Sequence, residues 1–172
     1  DWIAGLKVVT GTGAVLDCNA GLVKNATGYD FRHLLIGAEG TLGLLAEIDV
    51  QLTVAPEPQV VMVMGVPNVG DLLQILQIFN AGLTLSAFEF FSNVALQKVR
   101  EHRGLPAPLA KPEAFYALVE FDESANSAAE AAFTACMASG WVTDGVLSQS
   151  EAQAAALWQL RDGISEAIAQ YT

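Results

Sequence analysis

Two prolines two residues apart, in Ala55-Pro56-Glu57-Pro58, constrain this chain more than any other feature. A proline locks its own φ and has no amide hydrogen, so neither a helix nor an interior strand runs through the pair. The connection is stiff and extended. At 172 residues the chain has length for one domain or two small ones with a real core. The proline pair favours two, residues 1–56 and 57–172.

Before the break, Ile3–Thr10 and Ala14–Cys18 are short β-type runs joined by Gly11-Thr12-Gly13, the pattern of a hairpin. Leu22 to Ile36 is rich in turn residues and then helical, with Phe31, Leu34 and Leu35 at helical spacing. From Gly43 to Val54 the residues Ile48, Val50, Leu52 and Val54 alternate, which predicts a half-buried strand.

After the break, Val60–Met64 is a fully apolar strand. Asn68 is placed to cap a helix from Val69 to Phe79, with apolar residues at 69, 72, 73, 76 and 79. Leu83–Phe91 reads as a strand, Asn93–Arg103 as a helix, and residues 104–112 as a loop with three prolines. Phe115–Phe121 alternates as a strand. Ser127–Ser139 is an alanine-rich helix closed by Gly140. Val142–Leu147 is the next strand, with Asp144-Gly145 as a bulge or turn, and Ser150 caps a last helix, Glu151–Gln170. This order matches the ferredoxin-like split arrangement, an α+β fold whose antiparallel sheet carries helices on one face. Architecture of this kind hosts many functions and selects none.

Composition removes several classes. Apolar residues make up 52% and charged residues 16%, too apolar for a disordered chain. QVVMVMGVPNVG is broken by Gly65 and Pro67, so no run reaches the ~18 residues of a membrane span. DWIAGLKVVT lacks the basic start and apolar centre of a signal peptide. So apolar a chain, opening into a strand and stopping inside a helical pattern at Tyr171-Thr172, reads as a fragment whose remaining parts cover some of its surface. The net charge is −11, with thirteen of the nineteen acids after Pro56, and it disfavours a nucleic-acid partner. Cys18 and Cys136 have no metal-ligand spacing, and His33 and His102 stand in polar company as exposed residues. No metal site is expected within this chain.

Two stretches carry candidate chemistry. Gly37, Gly40 and Gly43 recur every third residue, with Glu39 and Thr41 flanking the middle one. Glycine allows positive φ and close approach to the main chain, and successive amides form anion-binding concavities. The same spacing equally suits a tight crossing from helix to strand. The second stretch is Trp158-Gln159-Leu160-Arg161, whose arginine is the one basic residue after Lys111. Arg161 and Ser165 are four apart on one helix face, and a guanidinium fork suits a carboxylate. The plainer reading is a surface arginine paired with Asp162 or Glu166.

The run KNATGYDFRHLLIGAEGTLG resembles the segment that closes the FAD-binding domain in flavoproteins of the vanillyl-alcohol oxidase/p-cresol methylhydroxylase type. Their usual form is close to K-x-x-T-G-Y-D-x-x-x-L-x-I-G-S-E-G-T-L-G-I-I-T. Lys24, Thr27, Gly28, Tyr29, Asp30, Leu34, Ile36, Gly37, Glu39, Gly40, Thr41, Leu42 and Gly43 match. Ala38 replaces the usual Ser, Leu44 and Leu45 the two Ile, and Ala46 the Thr, so two hydroxyls are lost. The resemblance implies that residues 1–56 are the C-terminal portion of a PCMH-type FAD-binding domain. It lays Glu39, Gly40, Thr41, Leu42, Gly43, Leu44 and Leu45 against the flavin, largely through main chain. Tyr29 and Asp30 are expected to brace the turn.

From Ser86 onward, AFEFF, FYALVEF, WVTDGVLSQS and LWQLRDGISEAI resemble the substrate domain of FAD-linked D-2-hydroxyacid dehydrogenases, closest to the D-2-hydroxyglutarate type. Residues 57–172 would be the N-terminal portion of that domain. The resemblance gives Arg161, and Ser165 in place of the commoner Thr, the substrate carboxylate. Glu89 also matches a family position, without a role. It further implies hydride transfer to the flavin, no catalytic residue within this fragment, and a divalent metal such as zinc held by residues outside it. An electron-transfer flavoprotein or quinone as acceptor, a homodimer, and a bacterial cytoplasmic or eukaryotic mitochondrial setting follow from the same likeness. D-lactate or glycolate oxidation is the neighbouring alternative. A non-catalytic ferredoxin-like module binding a metabolite or a protein is the rival from another class.

Overall fold

In the computed structural model, which describes residues 2–18 and 28–170, the chain divides between Ala55 and Pro56 into two compact units. In the first, β1 (Ile3–Val9) turns at Gly13, in the left-handed region at φ 82°, into β2 (Val15–Asp17). On its other side β1 pairs with β3 (Leu44–Val50), giving an antiparallel sheet in the order β2-β1-β3. Leu6 and Val8 on one face are buried with Leu35 of α1 (Phe31–Leu35). Lys24, Thr27 and the turn expected around Leu22 lie outside the described residues.

The strand expected over 43–54 is shorter, ending at Val50, and it is not half-buried: all seven residues of β3 are exposed. Leu52 and Val54 lie beyond it, 86% and 88% exposed. Alternation supplied an apolar face, but among the described residues only the five-residue α1 is available to cover the sheet, and it reaches Leu6 and Val8 on β1.

The second unit is built on β4 (Gln59–Val66), which pairs with β6 (Phe115–Asp122) and β7 (Asp144–Leu147). β5 (Leu85–Ser92) adds to the far side of β6, so the order is β5-β6-β4-β7, antiparallel throughout. The crossover helices α2 (Leu72–Gly82) and α4 (Asn126–Ala138) pack together on one face, which is the ferredoxin-like arrangement. The expectation of helices on one face alone needs correcting. Val60, Met62, Met64 and Val66 join Phe79, Phe121 and Cys136 beneath α2 and α4, whereas Val61 and Val63 point the other way. There they meet Leu118, the stacked rings of Phe91 and Tyr116, Leu96 of α3 (Asn93–Arg103), and Ala154 and Leu160 of α5 (Glu151–Asp162). A strand covered on both faces needs apolar residues at consecutive positions, and β4 has them.

Local differences have local causes. Asn68 makes no cap; its amide donates to the Asp71 carboxylate, and a single 3₁₀ turn, Val69–Asp71, precedes α2. The helix buries Leu72, Ile75 and Phe79 while Leu73 faces solvent. Asp144-Gly145 is no turn: both residues pair with β4, and a Cβ at Gly145 would stand 2.6 Å from the Phe133 ring. Ser92 and Ser150 accept from Ala95 and Gln153 amides and cap α3 and α5. The last helix is interrupted at Gly163, after which α6 (Ile164–Ala169) follows.

Candidate functional site

The glycine segment enters from a clamp at Asp30. Its carboxylate accepts from the Arg32 amide at 3.0 Å, capping α1, and from the Arg32 guanidinium at 2.6 Å. Arg32 in turn donates to the Ala4 carbonyl at 2.7 Å, tying the helix to β1. The Arg32 guanidinium and amide hold the Asp30 carboxyl down to about 2, against a partial desolvation that works the other way. Asp30 therefore braces the turn. Tyr29 does not: its side chain stands in solvent, 92% exposed.

From α1 the chain makes a tight, exposed loop. Gly37, Glu39 and Gly40 have φ values of 82°, 51° and 78°, three left-handed residues in four. Glycine adopts this region freely; Glu39 does so at a cost. The Thr41 amide and hydroxyl both donate to the Ala38 carbonyl, at 2.9 and 2.6 Å. The amides of Gly37, Glu39, Gly40 and Leu42 have no partner among the described residues.

The three glycines differ in kind. A Cβ at Gly37 or Gly40 would meet nothing within 4 Å, whereas at Gly43 it would stand 2.7 Å from Val8 Cγ1 and 2.9 Å from the Val9 carbonyl oxygen. Gly43 serves the crossing onto β1; Gly37 and Gly40 serve an open loop. Beyond it, Leu42, Leu44 and Leu45 are exposed in succession. Glu39–Leu42 thus forms an exposed loop, and after the half-buried Gly43 the exposed side chains of Leu44 and Leu45 follow on β3.

In the second unit, α5 crosses the face of the sheet opposite α2 and α4. Trp158 Nε1 donates to the Glu120 carboxylate at 2.7 Å. One turn on, Arg161 Nε stands 3.1 Å from Glu89 Oε2, while Asp162 reaches only to 3.9 Å of Nη1. The arginine side chain is 41% exposed. Its partner is therefore mainly Glu89 rather than Asp162. Glu166 is engaged elsewhere, by Arg103 and His102, which hold its carboxyl below the ordinary value.

Gly163 follows because α5 runs close against α3: a Cβ there would lie 2.8 Å from Val99 Cγ1. Its backbone stays right-handed helical, and the Ala167 amide bonds its carbonyl at 2.9 Å, so Ser165 is carried on one helical turn beyond Arg161, exposed. Glu89 is the residue that spacing alone did not assign. The signal was a carboxylate inside the apolar run AFEFF.

A hollow of about 440 Å³ between the starts of α4 and α5, lined by Gln59, Asn126, Leu147 and Ser150, contains none of these residues. Among the described residues no group of three or more His, Cys, Asp or Glu is placed to hold a metal ion. No helix there is long and apolar enough to cross a membrane. Cys136 lies on the buried face of α4, and burial pushes its thiol up.

Comparison with known proteins bears on both halves. Residues 55–172 match the family described as FAD linked oxidases, C-terminal domain. The whole chain aligns with D-2-hydroxyglutarate dehydrogenase of Xanthomonas citri pv. viticola at 53% identity and with that of Stutzerimonas stutzeri at 47%. It spans 37% and 38% of those proteins. Among solved structures, alkyldihydroxyacetonephosphate synthase superposes over 90% of this chain and 30% of its own, with a TM-score of 0.58 and 16% identity. That likeness concerns the fold.

Proposed function

The chain belongs to the FAD-linked oxidases, and from that membership we propose that it is the central portion of an FAD-dependent dehydrogenase oxidising a D-2-hydroxyacid, D-2-hydroxyglutarate. The observation that carries this reading is the identity of 53% over the entire chain with a dehydrogenase of that name. Residues 1–56 then form the closing portion of the FAD-binding domain and residues 57–172 the opening portion of the substrate domain.

The residues present fit one wall of a flavin site. Glu39, Gly40, Thr41 and Leu42 offer an exposed loop, with amides unpartnered among the described residues at Glu39, Gly40 and Leu42. Leu44 and Leu45 offer exposed apolar surface next to it. Gly43 lies in this stretch but serves packing. Bound FAD would accept the hydride; the protein's share is to orient the cofactor and tune it.

Arg161 receives the substrate carboxylate with its terminal amino groups, and Ser165 adds a hydroxyl from the next turn. Support comes from the arginine's partial exposure and from an ion pair whose closest approach is at Nε. In the intact enzyme a divalent metal such as zinc would be held by residues outside this chain, the electrons would pass to an electron-transfer flavoprotein or quinone, and the protein would be a homodimer.

The test is Arg161→Ala in the intact parent enzyme. Hydrogen bonds to a charged group contribute roughly 1.5–3 kcal/mol. KM for D-2-hydroxyglutarate should therefore rise roughly 10- to 150-fold at 1.4 kcal/mol per decade, with flavin content unchanged. An unaltered KM removes Arg161 from the substrate site.

A further inference from the structure

Glu89 is an anomaly of placement. β5 pairs it with Leu118, so it lies on the face that otherwise presents Phe91, Tyr116 and Leu118 to α3 and α5. A carboxylate is uncommon at such a position without a partner that needs it. Glu120, paired with Ala87 two residues along, occupies the same face and is already used by Trp158. The two carboxylates on neighbouring strands thus meet two α5 side chains one helical turn apart, Glu120 with Trp158 and Glu89 with Arg161.

We infer that Glu89 is a positioning residue for carboxylate recognition: it holds the Arg161 guanidinium at its Nε edge and leaves the terminal amino groups as an end-on fork. Arginine has five N–H donors in a rigid plane, so a carboxylate at the Nε edge leaves the opposite edge available to a second one. Unclamped, this long side chain would be ordered only when substrate arrives, at the expense of affinity. Glu89 also brings a negative charge near an anionic substrate, which works in the opposite direction. Both partners of the pair are more than a third exposed, so solvent screens that repulsion and the ordering effect prevails. The inference rests on the assignment of Arg161 to the substrate carboxylate.

The experiment is a set of variants in the intact parent enzyme, read as KM, kcat and flavin content with D-2-hydroxyglutarate. Glu89→Ala should raise KM about 2- to 12-fold, the cost of ordering one long side chain. kcat and flavin content should change little. Glu89→Gln, which keeps an acceptor oxygen, should fall between. In an Arg161→Ala background, Glu89→Ala should add nothing. Glu120→Ala is the control for a mere staple of α5 onto the sheet, and it should lower stability without reproducing the KM effect.

A KM that falls in Glu89→Ala, or an equal rise in both Arg161 backgrounds, overturns the positioning role. So does a Glu120→Ala variant that matches Glu89→Ala in KM. If Arg161→Ala itself is silent, the carboxylate assignment fails first. If Arg161→Ala is effective and Glu89→Ala silent, Arg161 keeps its place and Glu89 has no positioning role.

Discussion

Replacing Gly43 by alanine asks whether the glycine spacing marks a packed crossing, an open loop, or both. The new Cβ would stand 2.7 Å from Val8 Cγ1 and 2.9 Å from the Val9 carbonyl oxygen, about 0.7 and 0.5 Å short of ordinary contact. Neither neighbour can withdraw easily. Val8 is fully buried, and Val9 belongs to the central strand, paired with Val15 on one side and Leu44 on the other. Forced overpacking of this kind costs about 1–3 kcal/mol.

Each kcal/mol shifts Tm by roughly 2–8 °C depending on domain size, so a fall of at least about 2 °C is expected. Release of flavin fluorescence on heating the intact parent reads it directly. Gly40→Asn is the matched control. Its side chain would enter open space, and asparagine tolerates the left-handed backbone that Gly40 adopts at φ 78°. Its stability should change by a few tenths of a kcal/mol, while FAD affinity should fall because the side chain would intrude on the proposed flavin wall. Gly43→Ala melting within a degree of wild type would refute the packing role. Equal melting losses at both positions would refute the distinction between them.

Two further contacts have measurable consequences. Asp30 titrates near 2 when folded against an ordinary value of 3.8, so its contribution is complete above pH 4 and is lost as the pH falls through 2. Asp30→Asn should remove that share of the acid dependence of unfolding, and identical slopes between pH 4 and 2 would count against the clamp on Arg32. Glu120→Ala leaves the part-buried Trp158 indole N–H without its acceptor and should cost roughly 1–3 kcal/mol. Urea unfolding measures this, and an unshifted midpoint would mean that water replaces the carboxylate.

Much of the second unit was legible because its signals are local. Ser92 and Ser150 announce α3 and α5, and Gly140, at φ 75°, closes α4. The uninterrupted apolar run of β4 already implied burial on both faces, although helices were expected on one. Element order alone does not say on which side α3 and α5 lie; Val61, Val63 and Leu118 do. Asn68 misled because a good capping residue had a competing acceptor in Asp71.

At the candidate sites, spacing identified the glycines but not their different duties, which depend on how close β1 comes to Gly43 and how far from Gly40 everything else stands. Arg161 stood out as an isolated cation in an acidic stretch. Its partner Glu89 lies 72 positions away in sequence and becomes its neighbour only through the packing of α5 on β5.

Amide hydrogen exchange across residues 37–45 of the intact parent protein, with and without FAD, tests the proposed flavin wall most directly. Protection of the Glu39, Gly40 and Leu42 amides that appears with cofactor, while those of β6 stay as they were, is the expected result. Exchange at those amides that is indifferent to FAD would contradict it, since exposed main chain cannot line a nucleotide and remain as open to water as before.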